Sequence, residues 1–320
     1  MAGILYVSAC DDGQIYSYRS SGGEMTLLDR TDEPGGPRAI LFSSDGRRMF
    51  LSTQDAHLVQ YDIQPGGALA ERTRIGVPFR YTHIAFARQE RAVIGASYNG
   101  GCVGLHGIGP EGTLEDRPGN ICHTDHAAHY ILFGESEDNF YVPHPDVRKL
   151  FKLRVSPEGL EVLGWKPLAS DVRHFKGNAN GIYGIAYLDN QISRWRETDG
   201  WLSLEARASM LPEGFSRFSS GSEIRLHPRL PLLYAANRGA DCLTVARTSD
   251  LRALAFFPVD PEPTCFCLDT DGRTLFTAGK YSGTLRIDRL SEDGTRILER
   301  RTLPVGNGVM WMEYLGENDA

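Results

Sequence analysis

One unit recurs along this chain, and it constrains the fold more than any other feature. The unit is a short strand, a turn with Asp-Gly or Gly, a second strand rich in Tyr, Phe and Leu, a third strand, and a Gly-x-Leu that opens a fourth. The clearest copy begins at Arg38: Ala39–Phe42, the turn Ser44-Asp45-Gly46, Met49–Leu51, His57–Ile63, then Gly67-Ala68-Leu69. An Asp-Gly pair between two such runs is a strong hairpin signal. Comparable first strands begin near His83, His129, Arg173, Glu223 and Thr264, so successive starts lie about 41 to 50 residues apart. That period suits four-stranded propeller blades. A pair of β-sandwiches would give similar strand counts but not the fixed period.

The two ends complete the count. Val309–Leu315 reads as a first strand with nothing after it, and Ile4–Ser8 as a second strand with nothing before it. Joined, they make a seventh blade and remove the free sheet edge. The expectation is an all-β, seven-bladed β-propeller of four-stranded blades, a single domain over residues 1–320, with N-terminal strands joining a C-terminal inner strand.

In such a ring the first strand of each blade lines the channel. It forms a hairpin with the second, so the residue opening strand one and the residue closing strand two share one rim, opposite the Asp-Gly turns. The openers are Arg38, His83, His129, Arg173, Glu223 and Thr264, and the closers include Asn99, His144, Tyr187, Arg238 and Lys280. Five of these six openers are ionisable, which points to a ligand site at one channel mouth.

Lysine and arginine number 34 against 41 Asp and Glu, a formal net charge of -7. Such a chain has no generic attraction for nucleic acid or an anionic membrane, so an anionic ligand needs a local basic site. The N-terminus has no basic region followed by a long apolar run, and no stretch is long and apolar enough to span a bilayer, which places the protein in the cytoplasm. Six cysteines are scattered without a framework spacing, and Cys265 and Cys267 fall on one face of a strand. Buried reduced thiols are the reading that fits a cytoplasmic chain, with a redox pair as the alternative. His123, His126 and His129 have a spacing that could bring two imidazoles to a metal, but no further ligand is tied to them by motif. No Gly-x-Ser-x-Gly elbow and no phosphate-binding glycine motif in a βα context occurs.

Several segments resemble the seven-bladed 6-phosphogluconolactonase family, which also includes fungal carboxymuconate lactonising enzyme. They are Ser43-Ser44-Asp45-Gly46-Arg47, Ala96-Ser97-Tyr98-Asn99-Gly100-Gly101, Ser222-Glu223-Ile224, Leu233–Arg238 and Gly306–Trp311, and the likeness covers essentially the whole chain. The resemblance implies a site with a His opening one inner strand, matched by His129 ahead of Val142-Pro143. It further implies an Arg opening the next, matched by Arg173, and a second Arg matched by Arg238. The family carboxylate falls on Tyr187, and a further family Arg falls on Thr264. The resemblance implies no metal and no cofactor, unlike the six-bladed gluconolactonases.

The expected activity is hydrolysis of a sugar lactone: 6-phosphogluconolactone-like, aldono- or aldarolactone. His129 would serve as base and then acid, and Arg173 and Arg238 as oxyanion or anion clamps. Arg38, His83, Asn99, His174, Tyr187, Glu223 and Lys280 are expected around the substrate. His174 is expected to turn toward the blade interior if strand neighbours alternate. A lactone-forming cycloisomerase or lactone isomerase acting on a diacid, and a noncatalytic binding propeller, are the alternatives. The expected partner is a small anionic or polyhydroxylated lactone, and the expected assembly a monomer or weak homodimer.

Overall fold

The computed structural model describes residues 2–21, 24–116, 120–136 and 138–316. Its strands form seven four-stranded antiparallel sheets, each in simple up-and-down order. Blade 1 is β4–β7 (Pro37–Phe42, Arg48–Thr53, His57–Ile63, Leu69–Gly76), and blade 2 is β8–β11 (His83–Ala87, Ala92–Ser97, Cys102–Gly107, Asn120–His123). Blade 3 is β12–β15 (Leu132–Phe133, Asn139–His144, Lys149–Ser156, Gly159–Pro167), and blade 4 is β16–β19 (Val172–Asn178, Gly181–Ala186, Gln191–Thr198, Trp201–Ser209). Blade 5 is β20–β23 (Ser220–Leu226, Leu232–Arg238, Cys242–Arg247, Ala253–Pro258), and blade 6 is β24–β27 (Pro263–Leu268, Thr274–Gly279, Thr284–Leu290, Ile297–Pro304).

The seventh blade is built from both termini, as the sequence predicts. β28 (Val309–Gly316) is its inner strand, followed outward by β1 (Gly3–Ala9), β2 (Gln14–Ser21) and β3 (Glu24–Asp32). The closing pair runs from Gly3↔Gly316 to Ala9↔Val309.

A blade is sandwiched between two others, so its middle strands must be apolar on both faces. β5 and β9 read Met49-Phe50-Leu51 and Ala92-Val93-Ile94, and both are buried almost throughout. Outer strands such as β3 and β19 are largely exposed. The core is correspondingly split into slabs between neighbouring blades. Phe140, Val142 and Leu153 of blade 3 pack on Ile94 and Val103 of blade 2, and Phe266 and Leu275 of blade 6 pack on Tyr234 and Leu243 of blade 5. Each fully buried Leu or Phe in such a slab contributes about 1.5–3 kcal/mol relative to exposure.

The inner strands are not regular at the end where they open. In β4 Pro37 pairs with Thr53 and Ile40 with Leu51, so Arg38 and Ala39 stand opposite Ser52 alone. Equivalent irregularities leave Arg173 extra in β16, Ser222 and Glu223 opposite Ala236 in β20, Thr264 extra in β24 and Met310 extra in β28. These are β-bulges, which re-aim side chains at one end of a strand. Blade 3 departs most from expectation. Its inner strand covers only Leu132–Phe133 instead of beginning at His129. His129 is held by its N–H donating to Pro143 O at 3.1 Å, and Ile131 N–H donates to His83 Nδ1 at 3.3 Å rather than to a neighbouring strand.

Candidate active site

The bulged ends converge on one mouth of the channel. An inner chamber of about 40 Å³ is lined by Arg38, Thr82, His129, Arg173, His174, Glu223, Arg238, Thr264, Met310 and Trp311. An adjoining outer chamber of about 180 Å³ is lined by Arg38, Arg80, Thr82, Tyr98, His129, Pro145, Arg173 and Tyr187. Arg38, Thr82, His129 and Arg173 face both.

The residues expected from sequence divide into three groups. Arg38, His129, Arg173, His174, Glu223 and Arg238 come together in the inner chamber, and Tyr187 joins Arg38, His129 and Arg173 in the outer one. His83 lies elsewhere: it lines a cavity of about 530 Å³ at the opposite mouth with Tyr130, Lys176, Arg225 and Trp311. Asn99 is exposed on the turn after β9, and its neighbour Tyr98 is the one that lines the site. Lys280 lines neither chamber; its Nζ sits 4.9 Å from the centre of the Tyr281 ring.

His174 is a correction to strict alternation. With Arg173 as the extra residue, β16 resumes pairing at His174↔Ile185, and both side chains line the inner chamber. Thr82, Arg80, Tyr98, Met310 and Trp311 were not singled out from sequence. Tyr98 and Thr82 each sit one position before an expected site residue, so a one-residue shift in the strand count would have found them. The His123, His126, His129 run does not converge. His126 Nε2 is 3.1 Å from Asp146 Oδ2, His123 packs edge-on against Phe79, and His129 points into the channel. Among the described residues no three His, Cys, Asp or Glu side chains are grouped to hold a metal ion. All six cysteines, Cys265 and Cys267 included, are free thiols.

Electrostatics set the chemistry. Arg38, Arg80, Arg173 and Arg238 each have a buried Nε without a hydrogen-bond partner, and none is ion-paired with a carboxylate among the described residues. Burial, then the neighbouring Arg238, pushes the Arg173 guanidinium down to about 9. Burial and the Arg173 charge hold His129 well below the usual imidazole range, so it is neutral at pH 7. His174, its ring 4.9 Å from that of His129, is pushed down to about 4 by burial, with Glu223 opposing the shift. Glu223 is buried, yet Arg225 and His174 hold its carboxyl below the usual range, so it is charged. Tyr98 packs edge-on to His129 at 5.8 Å and donates to Asp146 Oδ2 at 2.5 Å; burial and that bond raise its phenol to about 12. The Arg173 guanidinium lies 5.6 Å from the centre of the Tyr187 ring. A chamber of this kind can clamp an anionic ligand and hold two neutral imidazoles beside it.

Residues 4–159 and 165–312 match the family described as lactonase, 7-bladed beta-propeller. The chain belongs to this lactonase family. It is 26% identical to a 6-phosphogluconolactonase of Erwinia tasmaniensis, over 98% of both chains. It is 25% identical to a 6-phosphogluconolactonase of Serratia proteamaculans, over 99% of this chain and 100% of the relative. Among solved structures, the periplasmic gluconolactonase of Pseudomonas aeruginosa superposes with a TM-score of 0.89 at 19% identity, covering 99% of each chain. A Lactobacillus plantarum protein superposes with a TM-score of 0.86 at 14% identity, covering 99% of this chain and 100% of the other. At those identities the structures support the fold of this lactonase-family chain.

Proposed function

We propose that this protein opens an anionic sugar lactone to its acid, without a metal, at the arginine-lined mouth of the channel. The observation that carries this reading is the group of four guanidiniums with no carboxylate partner among the described residues. Four cations brought together and partly dehydrated oppose folding unless a ligand brings negative charge, and planar guanidiniums suit phosphate or carboxylate oxygens. The relatives named 6-phosphogluconolactonase favour a phosphorylated aldonolactone as the substrate.

Ring opening needs three things: a water delivered to the acyl carbon, stabilisation of the oxyanion, and a proton for the leaving ring oxygen. Arg173 and Arg238 lie where they can donate to the oxyanion, while Arg38 and Arg80 bind the charged end of the substrate. The imidazoles of His129 and His174 supply the proton path. Because His129 is neutral, it serves as an N–H donor as well as a proton carrier, an arrangement known at other active sites. Six free cysteines support a reducing compartment, the cytoplasm.

The test is acid release in a pH-stat from 6-phosphogluconolactone, gluconolactone and an aldarolactone, with carboxymuconate followed by ultraviolet absorbance. Fastest release from the phosphorylated lactone is expected. Turnover of carboxymuconate alone would move the assignment to a lactone-forming isomerase, and no turnover of any would leave a binding propeller. Thermal shifts with phosphogluconate, gluconate and galactarate report the ligand class separately, because a ligand stabilises by mass action.

A further inference from the structure

The arginines leave two requirements of hydrolysis unmet: a seat for one water, and a base to take its proton. The inner chamber supplies the seat. At about 40 Å³ it has room for a water or two and not for a sugar. His174 and Glu223 line this chamber and not the outer one, whereas Arg38, His129 and Arg173 line both. Arg238, Thr264, Met310 and Trp311 also line this chamber and not the outer one, and among these residues His174 is the one imidazole and Glu223 the one carboxylate.

Two bulges on neighbouring blades create this pair. Arg173 is the extra residue in β16, which turns His174 into the channel. In β20 Gly221 pairs with Asn237 and Ile224 with Ala235, which carries Glu223 toward blade 4. Glu223 Oε1 then lies 3.5 Å from His174 Nδ1. Glu223 itself is 1% exposed, accepts from Ile224 N–H at 2.9 Å, and has Arg225 Nε at 3.8 Å. It is fixed and charged, and so biases the His174 proton toward Nδ1. Neither His174 Nδ1 nor His129 Nδ1 makes a hydrogen bond within the usual geometry, and what distinguishes His174 is the carboxylate oxygen 3.5 Å from its Nδ1.

Resting on the hydrolytic reading above, we propose that His174 is the base that activates the water. Glu223, from the next blade, is then a positioning residue that keeps the proton on His174 Nδ1 and the lone pair on Nε2. In the reaction, water loses a proton to His174 Nε2 as its oxygen bonds to the acyl carbon. The tetrahedral oxyanion collapses with cleavage of the bond to the ring oxygen. The departing alkoxide takes the proton from His174 Nε2. The open acid and a neutral His174 result, and nothing is oxidised or reduced.

The groups facing His174 set its titration. Glu223 raises its basicity, Arg173 and Lys176 lower it, His129 and His83 are neutral neighbours, and the Tyr130 ring packs 5.0 Å from its ring. Glu223→Gln keeps the volume, and Arg225 retains its paired bonds to Glu313 at 2.9 Å. The variant is expected to lose about a hundredfold or more in kcat with KM changed less than about threefold. The acid limb of its kcat/KM profile is expected to move to lower pH, because the charge that favoured protonated His174 is gone. Added imidazole is expected to restore part of the activity of His174→Ala but none to Glu223→Gln.

Nitrogen-15 NMR of the wild-type protein reads the tautomer without turnover, with the proton expected on His174 Nδ1. A proton on Nε2 overturns the inference even if the variants misfold. Wild-type kcat and an unmoved acid limb in Glu223→Gln overturn it alone and leave the lactonase reading standing. An unmodified protein that opens none of the lactones overturns both.

Discussion

At the scale of single residues, the site turns on which of two adjacent side chains faces the channel. Strand side chains alternate, so an error of one residue moves a group to the other face. Asn99 and Tyr98 show the consequence: the residue one step earlier carries the contact. Arg173 and His174 show the opposite case, where a bulge lets both neighbours reach the same space. The predicted effects follow from placement. Arg173→Ala and His129→Ala each remove a donor from both chambers and are expected to lower kcat about a hundred- to thousandfold, as loss of one oxyanion donor does elsewhere. Asn99→Ala and Lys280→Ala, outside both chambers, are expected to leave kcat/KM within about twofold, with circular dichroism confirming the fold in all four. Equal losses in the two pairs would refute the assignment of the chambers.

At the scale of strands, serine and threonine hydroxyls tie blade 7 to 1, 1 to 2, 2 to 3, 5 to 6 and 6 to 7 near the ends where the inner strands open. Ser8 Oγ donates to Arg38 O at 2.7 Å, Ser52 Oγ to Tyr81 O at 3.1 Å, and Thr82 Oγ1 to His129 O at 3.1 Å. Ser222 Oγ donates to Pro263 O and Thr264 Oγ1 to Val309 O, both at 2.5 Å. These bonds satisfy carbonyls at or just before the openings of the inner strands. Between blades 4 and 5, where His174 meets Glu223, the tie is instead Gly221 N–H donating to Tyr187 O at 2.7 Å and Asn190 Nδ2 donating to Ser219 O at 3.0 Å. Ser222→Ala deletes such a tie at a fully buried position. It is expected to cost about 1–3 kcal/mol in chemical denaturation, and to lower kcat more than Ser52→Ala does, because Ser222 adjoins Glu223. Ser→Ala variants with unchanged unfolding midpoints would show that the ties are incidental.

At the scale of the whole molecule, ring closure buries imidazoles that would titrate near neutrality in an open chain. His83 and His129 are held well below the usual range by burial, and His106 and His174 are pushed down to about 4. In the unfolded chain each would take up a proton near pH 6.5. Between that value and the folded one the unfolded state binds more protons, so stability falls as pH falls. Each group contributes a slope approaching about 1.4 kcal/mol per pH unit within its window. The contribution of His174 and His106 levels off near pH 4, and burial of His83 and His129 adds to the loss in the same direction. Thermal unfolding is therefore expected at steadily lower Tm from pH 6.5 to pH 4. A flat profile would mean that these imidazoles are not buried in neutral form.

The repeat made the architecture legible. Strand patterns of fixed period, Asp-Gly turns and two incomplete end strands leave few arrangements other than seven blades closed by the termini, because each apolar sheet face must be covered and no edge left open. Arg38, His129, Arg173 and Arg238 could be placed at one mouth by the same counting, since hairpin geometry is local. The bulges could not. They add a residue to one strand relative to its partner, a relation between segments that carries no mark in either segment alone. β8 has no such bulge, so His83 pairs regularly with Ala96 and turns to the far cavity while Thr82 faces the mouth, and the meeting of His174 with Glu223 across two blades was decided only when the ring was assembled.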